Sequence, residues 1–331
     1  MNSDFPVFGV CGWSGSGKTT LIEELVRRLV ARKLKIAVVK HDAHGFNVDR
    51  AGKDSDRFFR AGADALLGGP EETFCRQHHG DRLPLRELAT RYDLVFVEGH
   101  KSLPLPRKVW LGDNCPSEAA PVTRILRADE DRVAIALQMV DDWLRHLATA
   151  TPVYAGVLFG GASERMGRPK HLLSVGETTW IERTVATLRP HVERVVLLGR
   201  DEVPADLDDQ PMLPDVTDRE GPVAGMLAAM RWQPLATWLF VACDLPQLSG
   251  EAVRWLLGQR APGVWATLPR MGGGVEPLLA HYDFRARRLL EECRGPSELA
   301  RRPQVATPAP PESLAAAWRN VNTPEELKAI A

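Results

Sequence analysis

Val7-Phe8-Gly9-Val10-Cys11-Gly12-Trp13-Ser14-Gly15-Ser16-Gly17-Lys18-Thr19 decides the fold of the first half of the chain. A short apolar run meets a glycine-rich turn, and the turn fits G-x-x-x-x-G-K-[ST]. Behind it Leu21, Leu25, Val26 and Leu29 recur at helical spacing, so an amphipathic helix follows. Strand, turn and helix in that order form the setting in which such a loop binds phosphate. Gly12, Gly15 and Gly17, with Ser16 between them, let successive backbone N–H groups face one anion, and the helix N-terminus adds positive potential. Lys18 is placed to reach the β and γ phosphates and Thr19 to hold Mg²⁺. The expected ligand is a purine nucleoside triphosphate.

The same layout recurs once. Val153 to Phe159 is an apolar strand that runs into Gly160-Gly161 and a following helical stretch, so the chain opens an α/β sheet twice. Between the two starts, Leu137, Val140, Leu144 and Leu147 mark a helix over 135–150, and Pro152 opposes its continuation. The expectation is two domains, 1–150 and 151–331, each with helices on both faces of a mainly parallel sheet. A length of 331 residues suits two cores.

Composition narrows the partners. The net charge is -1, with 26% charged residues, which excludes a strongly basic nucleic-acid-binding protein and gives no reason to expect a membrane surface. Five scattered cysteines without a C-x-x-C pair argue against a disulfide framework or a zinc site. The first residues lack a basic stretch followed by an apolar one, and no apolar run reaches the roughly 18 residues of a membrane span, so a cytoplasmic location is expected.

Other residues carry candidate chemistry. Asp93-Leu94-Val95-Phe96-Val97-Glu98-Gly99 is an apolar strand ending in a carboxylate, either a second acidic group beside the nucleotide's Mg²⁺ or an ordinary strand-end residue. His41 and His44, in the polar segment 40–63, read as loop histidines rather than metal ligands. The turn from Leu158 to Lys170 lacks G-K-[ST]. Its paired glycines allow close backbone approach, while Arg165 and Lys170 bring two cations, as phosphoryl or nucleotidyl transfer needs; the alternative is a plain basic turn. The stretch from Phe240 reads as a buried strand ending in Asp244, which is either an Mg²⁺ ligand or the cap of the next helix. Trp232, Trp238, Trp255 and Trp265 read as packing residues, Arg285, Arg287 and Arg288 as one solvated helix face, and 306–313 as a proline-rich surface loop before a last short helix.

The series GWSGSGKTTLIEEL, VVKHDAH, GKDSDRFFRAGA and DLVFVEGHK resembles the molybdopterin-guanine dinucleotide biosynthesis protein B family over residues 6–112. That resemblance implies a P-loop NTPase-like fold, GTP at the loop with weak hydrolysis at most, an accessory role, and homodimerisation through this domain as an option. LFGGASERMGRPK, GPVAGM, CDLP, VEPLLAHY and NVNTPEEL together resemble a molybdenum cofactor guanylyltransferase across nearly all of the second half. The implied fold is a Rossmann-like nucleotidyltransferase and the implied reaction is transfer of GMP from Mg-GTP to Mo-molybdopterin.

By the same resemblance Leu158, Gly160 and Gly161 contact GTP, Lys170 grips its phosphates, Asp215 lies near the nucleoside, Asp244 holds Mg²⁺, and Asn320 and Asn322 line the pterin side. Molybdenum insertion proteins and chaperones of target molybdoenzymes are the implied protein partners. Phe159 stands where the family usually has alanine, and Val196-Leu197-Leu198 replaces a frequent asparagine. Gly160-Gly161 with GPVAG favours guanine over the cytosine of a related cytidylyltransferase family. A non-catalytic GTP-binding carrier is the third reading.

Overall fold

The opening apolar run forms strand β1 (Val7–Gly12), with every residue buried. Helix α1 (Lys18–Ala31) follows, and Leu21, Ile22, Leu25 and Leu29 turn inward while Arg27 and Arg28 pair with Glu23 and Glu24 on the outer side. The computed structural model describes residues 5–40, 51–62, 65–76, 85–119, 121–160 and 169–321. These divide into two units. One comprises Met1–Arg28, Ile36–Ala89 and Leu94–Leu137, and the other Leu29–Lys35, Thr90–Asp93 and Gln138–Ala331.

In the first unit the next elements are β2 (Ile36–Lys40), α2 (Asp54–Arg60), the hairpin β3 (Ala65–Gly68) and β4 (Thr73–Arg76), α3 (Leu85–Ala89), β5 (Leu94–Glu98), β6 (Arg107–Leu111) and β7 (Arg124–Leu126). Five strands form one sheet in the order β2-β5-β1-β6-β7, and every pairing is parallel. Strand β5 is buried along its whole length, as a parallel strand covered on both faces should be. The carboxyl ends of β5, β1, β6 and β7 therefore stand in a row, the edge at which such sheets bind ligands.

Helix α4 (Arg132–Ala150) leads to the second sheet. Its elements are β8 (Val153–Leu158), the hairpin β9 (Ser174–Val175) and β10 (Thr178–Thr179), α5 (Trp180–Leu188), β11 (Arg194–Leu198), β12 (Met212–Leu213), α6 (Pro222–Trp232), β13 (Thr237–Ala242) and α7 (Gly250–Leu257). After these come β14 (Ala266–Thr267), the hairpin β15 (Arg270–Met271) and β16 (Gly274–Val275), β17 (Leu279–Tyr282), α8 (Ala286–Glu292) and β18 (Val305–Ala306). The order is β12-β11-β8-β13-β17-β14-β18.

Helix starts in this unit follow local chemistry. Thr179 and Glu182 form a reciprocal capping box at α5, and Ser249 caps α7 by accepting from the Ala252 N–H. Residues of α5 and α7, among them Val185 and Leu256, pack with Val157 and Leu239 on one face of the sheet. Residues of α6 and α8, among them Met226 and Leu290, pack with Trp238 and Phe240 on the other. Both sheets are thus of the three-layer α/β kind.

The second sheet is mainly parallel as expected, but of its seven strands β17 runs antiparallel to its neighbours β13 and β14. Two further expectations need correction, and the reversal of β17 has a local cause. Between Thr267 and Leu279 the chain holds a two-stranded hairpin and no crossover helix, and a parallel return needs such a crossover. Arg285 is no part of a solvated face: its side chain is 11% exposed and pairs with Asp283 and Asp93. The last short helix is a 3-10 turn, Glu312–Trp318. The tryptophans do pack, with Trp238 and Trp265 buried, Trp255 edge-on to Trp318, and Trp232, 43% exposed, beside Tyr154.

Candidate functional site

The loop after β1 is held by groups on three sides. Gly12 has φ 154°, and a methyl group there would stand 2.5 Å from Ser16 Oγ and 2.8 Å from the Leu111 carbonyl, so only glycine lets the loop close. Thr19 Oγ1 donates to Glu98 Oε1 at 2.9 Å, which brings together the two residues expected near a metal. Glu98 is 7% exposed, and Lys40 Nζ lies 3.9 Å from it. Lys18 Nζ donates to the Trp13 carbonyl at 2.8 Å, folded over its own loop. Ser16 Oγ is buried without a hydrogen-bond partner among the described residues.

Arg132, the first residue of α4, braces the loop and has no motif that marks it. From the start of α4 it donates to the Ser16 carbonyl at 3.0 Å and to the Arg127 carbonyl at 2.8 Å. The separation of 116 residues between Arg132 and Ser16 leaves no local signal for that contact. Trp13 is half in solvent, edge-on to Trp110, with Lys101 Nζ 3.7 Å over its ring.

In the second unit a cavity of about 530 Å³ opens at the carboxyl ends of β8 and β13. Leu158, Gly160, Lys170, Asp215, Gly221 and Asp244 are among its walls. Lys170 Nζ donates to Asp244 Oδ2 at 3.1 Å, while Asp244 Oδ1 is buried without a partner among the described residues. Since Ser249 caps α7, Asp244 is not a helix cap. Gly160 has φ 90°, and a methyl group there would meet Asp201 Oδ2 at 2.7 Å. Gly225 of α6 makes room for Asp215, whose Oδ1 would lie 3.1 Å from a methyl at that position.

Phe159 is buried, its ring edge-on to His171, whose Nε2 lies 2.9 Å from the Glu202 carbonyl. Leu198 lines the cavity as an apolar wall. Cys243 also reaches it, and burial, reinforced by the Asp244 charge, pushes its thiol up to about 12. Asn320 is exposed and outside the lining, although the N–H of neighbouring Val321 donates to the Asp244 carbonyl. Gly161, Arg165, Asn322, His41 and His44 lie outside the described residues.

The donor set at Asp244 fits a magnesium ion. Mg²⁺ takes one or two carboxylate oxygens and completes its shell with water and substrate phosphate, and Asp244 Oδ1 is one buried oxygen with no other partner among the described residues. Among the described residues no group of three or more His, Cys, Asp or Glu gathers as an all-protein cage. No helix among them is long and apolar enough to cross a membrane.

A mixed α/β sheet with a glycine loop, a lysine and a metal-competent aspartate at its carboxyl edge defines a nucleotidyltransferase, here in one chain with a P-loop unit. The family model described as MobA-like NTP transferase domain matches residues 155–305, and that of molybdopterin guanine dinucleotide synthesis protein B matches 7–135. A probable molybdenum cofactor guanylyltransferase of Bacillus cereus is 32% identical over 186 residues, 52% of this chain and 93% of that protein. The chain belongs to the molybdenum cofactor guanylyltransferase family.

Its first part is similar to a molybdopterin-guanine dinucleotide biosynthesis adapter protein of Haemophilus influenzae, 39% identical over 113 residues, 32% of this chain. The match spans 64% of the adapter's length. The crystal structure of molybdopterin-guanine dinucleotide biosynthesis protein A from Archaeoglobus fulgidus is 26% identical, covering 53% of this chain and 95% of that one, with a TM-score of 0.45.

Proposed function

We propose that the second domain, residues 151–331, transfers GMP from Mg-GTP to the terminal phosphate of Mo-molybdopterin, and that the first, residues 1–150, is an accessory GTP-binding domain. The observation that carries the reading is the meeting of Lys170 and Asp244 in the cavity at the ends of β8 and β13. An oxygen of the pterin's phosphate attacks the α-phosphorus of GTP, the bond to the β-phosphate breaks, and pyrophosphate leaves. No covalent enzyme intermediate is needed, because a phosphate monoester is itself a nucleophile. The work of the protein is alignment and charge screening.

In this reading Lys170 turns from Asp244 to the triphosphate, with Arg165 as a second cation on the same loop. Leu158, Gly160 and Gly161 lie under the nucleotide, Asp215 faces the nucleoside, and Asn320 and Asn322 serve the pterin side. Asp244 Oδ1 would hold Mg²⁺, which supplies neutralisation of charge at the α-phosphate and on the leaving pyrophosphate. In the first domain the loop from Gly12 to Thr19 cradles the phosphates of GTP, and Thr19 and Glu98 would hold its Mg²⁺.

Purified chain incubated with Mg-GTP and molybdopterin should yield the dinucleotide and pyrophosphate, identified by mass, with CTP as a poor substitute. Lys170→Ala should lose this product and Lys18→Ala should lose nucleotide at the first loop. Tight nucleotide and pterin binding without pyrophosphate release would favour a carrier instead. Equal use of CTP would overturn the choice of base.

A further inference from the structure

A second cavity, about 400 Å³, is lined by Asp113, Arg127, Ala128 and Asp129. These residues follow β6 and β7, and the sheet sets their place. Gly12 at the end of β1 is registered with Leu111 of β6, and Leu111 with Leu126 of β7. Neighbouring strands are separated by ~4.8 Å, so the end of β7 lies about 10 Å across the sheet edge from the phosphate loop. On the other side of β1 stands β5, whose end carries Glu98 beside Thr19. A nucleotide with its phosphates on the loop and its metal at Thr19 then has the β6 and β7 side for sugar and base.

Two side chains fasten this cavity to the loop. Trp13 Nε1 donates to the carbonyl of Asn114, the residue after Asp113, at 3.3 Å. Arg132 joins the Ser16 carbonyl to that of Arg127. Phosphate loop and cavity wall are thereby one hydrogen-bonded assembly within the first unit.

The lining has a base-reading character. A carboxylate only accepts hydrogen bonds and a guanidinium only donates them. Guanine offers N–H donors at N1 and N2 and acceptors at O6 and N7, the latter pair matching an arginine fork. Adenine presents an acceptor at N1 and would set it against a carboxylate. Asp113 follows the strand next to β1 and precedes the residue that Trp13 holds, so it is the carboxylate nearer the loop in the sheet order.

We propose that this cavity is the base site of the P-loop nucleotide, with Asp113 accepting from N1–H and N2–H of guanine and Arg127 donating to O6 and N7. The proposal rests on the reading of the Gly12 to Thr19 loop as a GTP site and names the residues that make it guanine-selective.

The test uses the full chain carrying Lys170→Ala, which weakens the other nucleotide site, and measures equilibrium binding of GTP, ATP and XTP. With Asp113 intact, GTP should bind at least about tenfold more tightly than ATP or XTP, the loss expected for one misplaced base contact. Asp113→Asn turns an acceptor into a donor that suits the 2-oxo group of xanthine, so GTP should weaken and XTP should become the preferred ligand. Asp129→Asn should leave GTP ahead of XTP. Unchanged GTP preference in Asp113→Asn, equal loss of GTP and XTP, or a switch produced by Asp129→Asn instead would overturn the assignment. A stoichiometry of bound GTP left unchanged by Lys18→Ala would place the nucleotide off the loop and sink the underlying GTP reading, a result separable from failure of the base site.

Discussion

Lys170 Nζ stands 3.1 Å from Asp244 Oδ2, joining two loops that are 74 residues apart in the chain. Each side chain is about a fifth exposed, at 21% and 19%, so the pair is partly screened by water. It holds a cation and a carboxylate together at one edge of the sheet.

Lys170→Ala should reduce GMP transfer by about 10²- to 10³-fold, the effect of removing one oriented charge-stabilising donor. Its unfolding free energy should change by no more than about 1 kcal/mol, because an ion pair partly open to water contributes little net stability. Turnover by pyrophosphate release and stability by urea denaturation separate the two. Ordinary turnover would remove Lys170 from the chemistry.

Asp93→Ala should destabilise the second unit by about 3–5 kcal/mol, the cost of breaking a buried ion pair and leaving its N–H donors without an acceptor. Asp93 is 1% exposed, and its Oδ1 accepts from Trp265 Nε1 at 2.7 Å and from Arg285 Nη1 at 3.1 Å, while Oδ2 accepts from the Lys35 N–H. Adding Arg285→Met to that variant should deepen the loss, since Arg285 also pairs with buried Asp283, which would then be stranded. Denaturant midpoints of the single and double variants provide the check.

The second unit should lose stability as pH falls below about 6.5. His281, on β17, is fully buried and held down to about 3 by desolvation, with Arg260 adding to the effect and Asp283 opposing it. Its folded value lies below the unfolded one, so the unfolded chain binds the proton first. The contribution is complete above the unfolded value and is lost toward pH 3, at up to about 1.4 kcal/mol per pH unit. His281→Leu should flatten that slope between pH 7 and 5, and equal slopes in the two proteins would refute the assignment.

Cys243 should resist alkylation although it borders the cavity. Its thiol is held near 12, so almost no thiolate is present at pH 8, whereas Cys75 is exposed. Iodoacetamide followed by peptide mass mapping should label Cys75 first. Earlier labelling of Cys243 would contradict the burial argument.

What motif reading recovers is local. The phosphate loop is eight consecutive residues between a strand and a helix, and Lys170 and Asp244 each close a recognisable turn or strand, so their chemistry is readable before the chain folds. Arg132, Asp93 and Arg285 are not readable in that way. Their partners lie 116, 172 and 192 residues away, and nothing around Arg285 separates a buried cation from a solvated one. The reversal of β17 escaped for a related reason: its direction is set by pairing with β13, about 40 residues earlier, and nothing within its four buried residues reports direction.

The second unit is assembled from separated stretches of chain, since it includes Leu29–Lys35 and Thr90–Asp93 as well as Gln138–Ala331. During synthesis, Asp93 leaves the ribosome 172 residues before Trp265 and 192 before Arg285. At ~5–20 residues per second that is a delay of roughly 10–40 s. Leu34, against which Gly263 packs so closely that a methyl there would stand 2.7 Å from Leu34 Cδ2, is exposed for a similar period. A nascent chain thus carries an unpaired carboxylate and an open apolar side chain through most of its translation, and ribosome-associated chaperones have that interval in which to act.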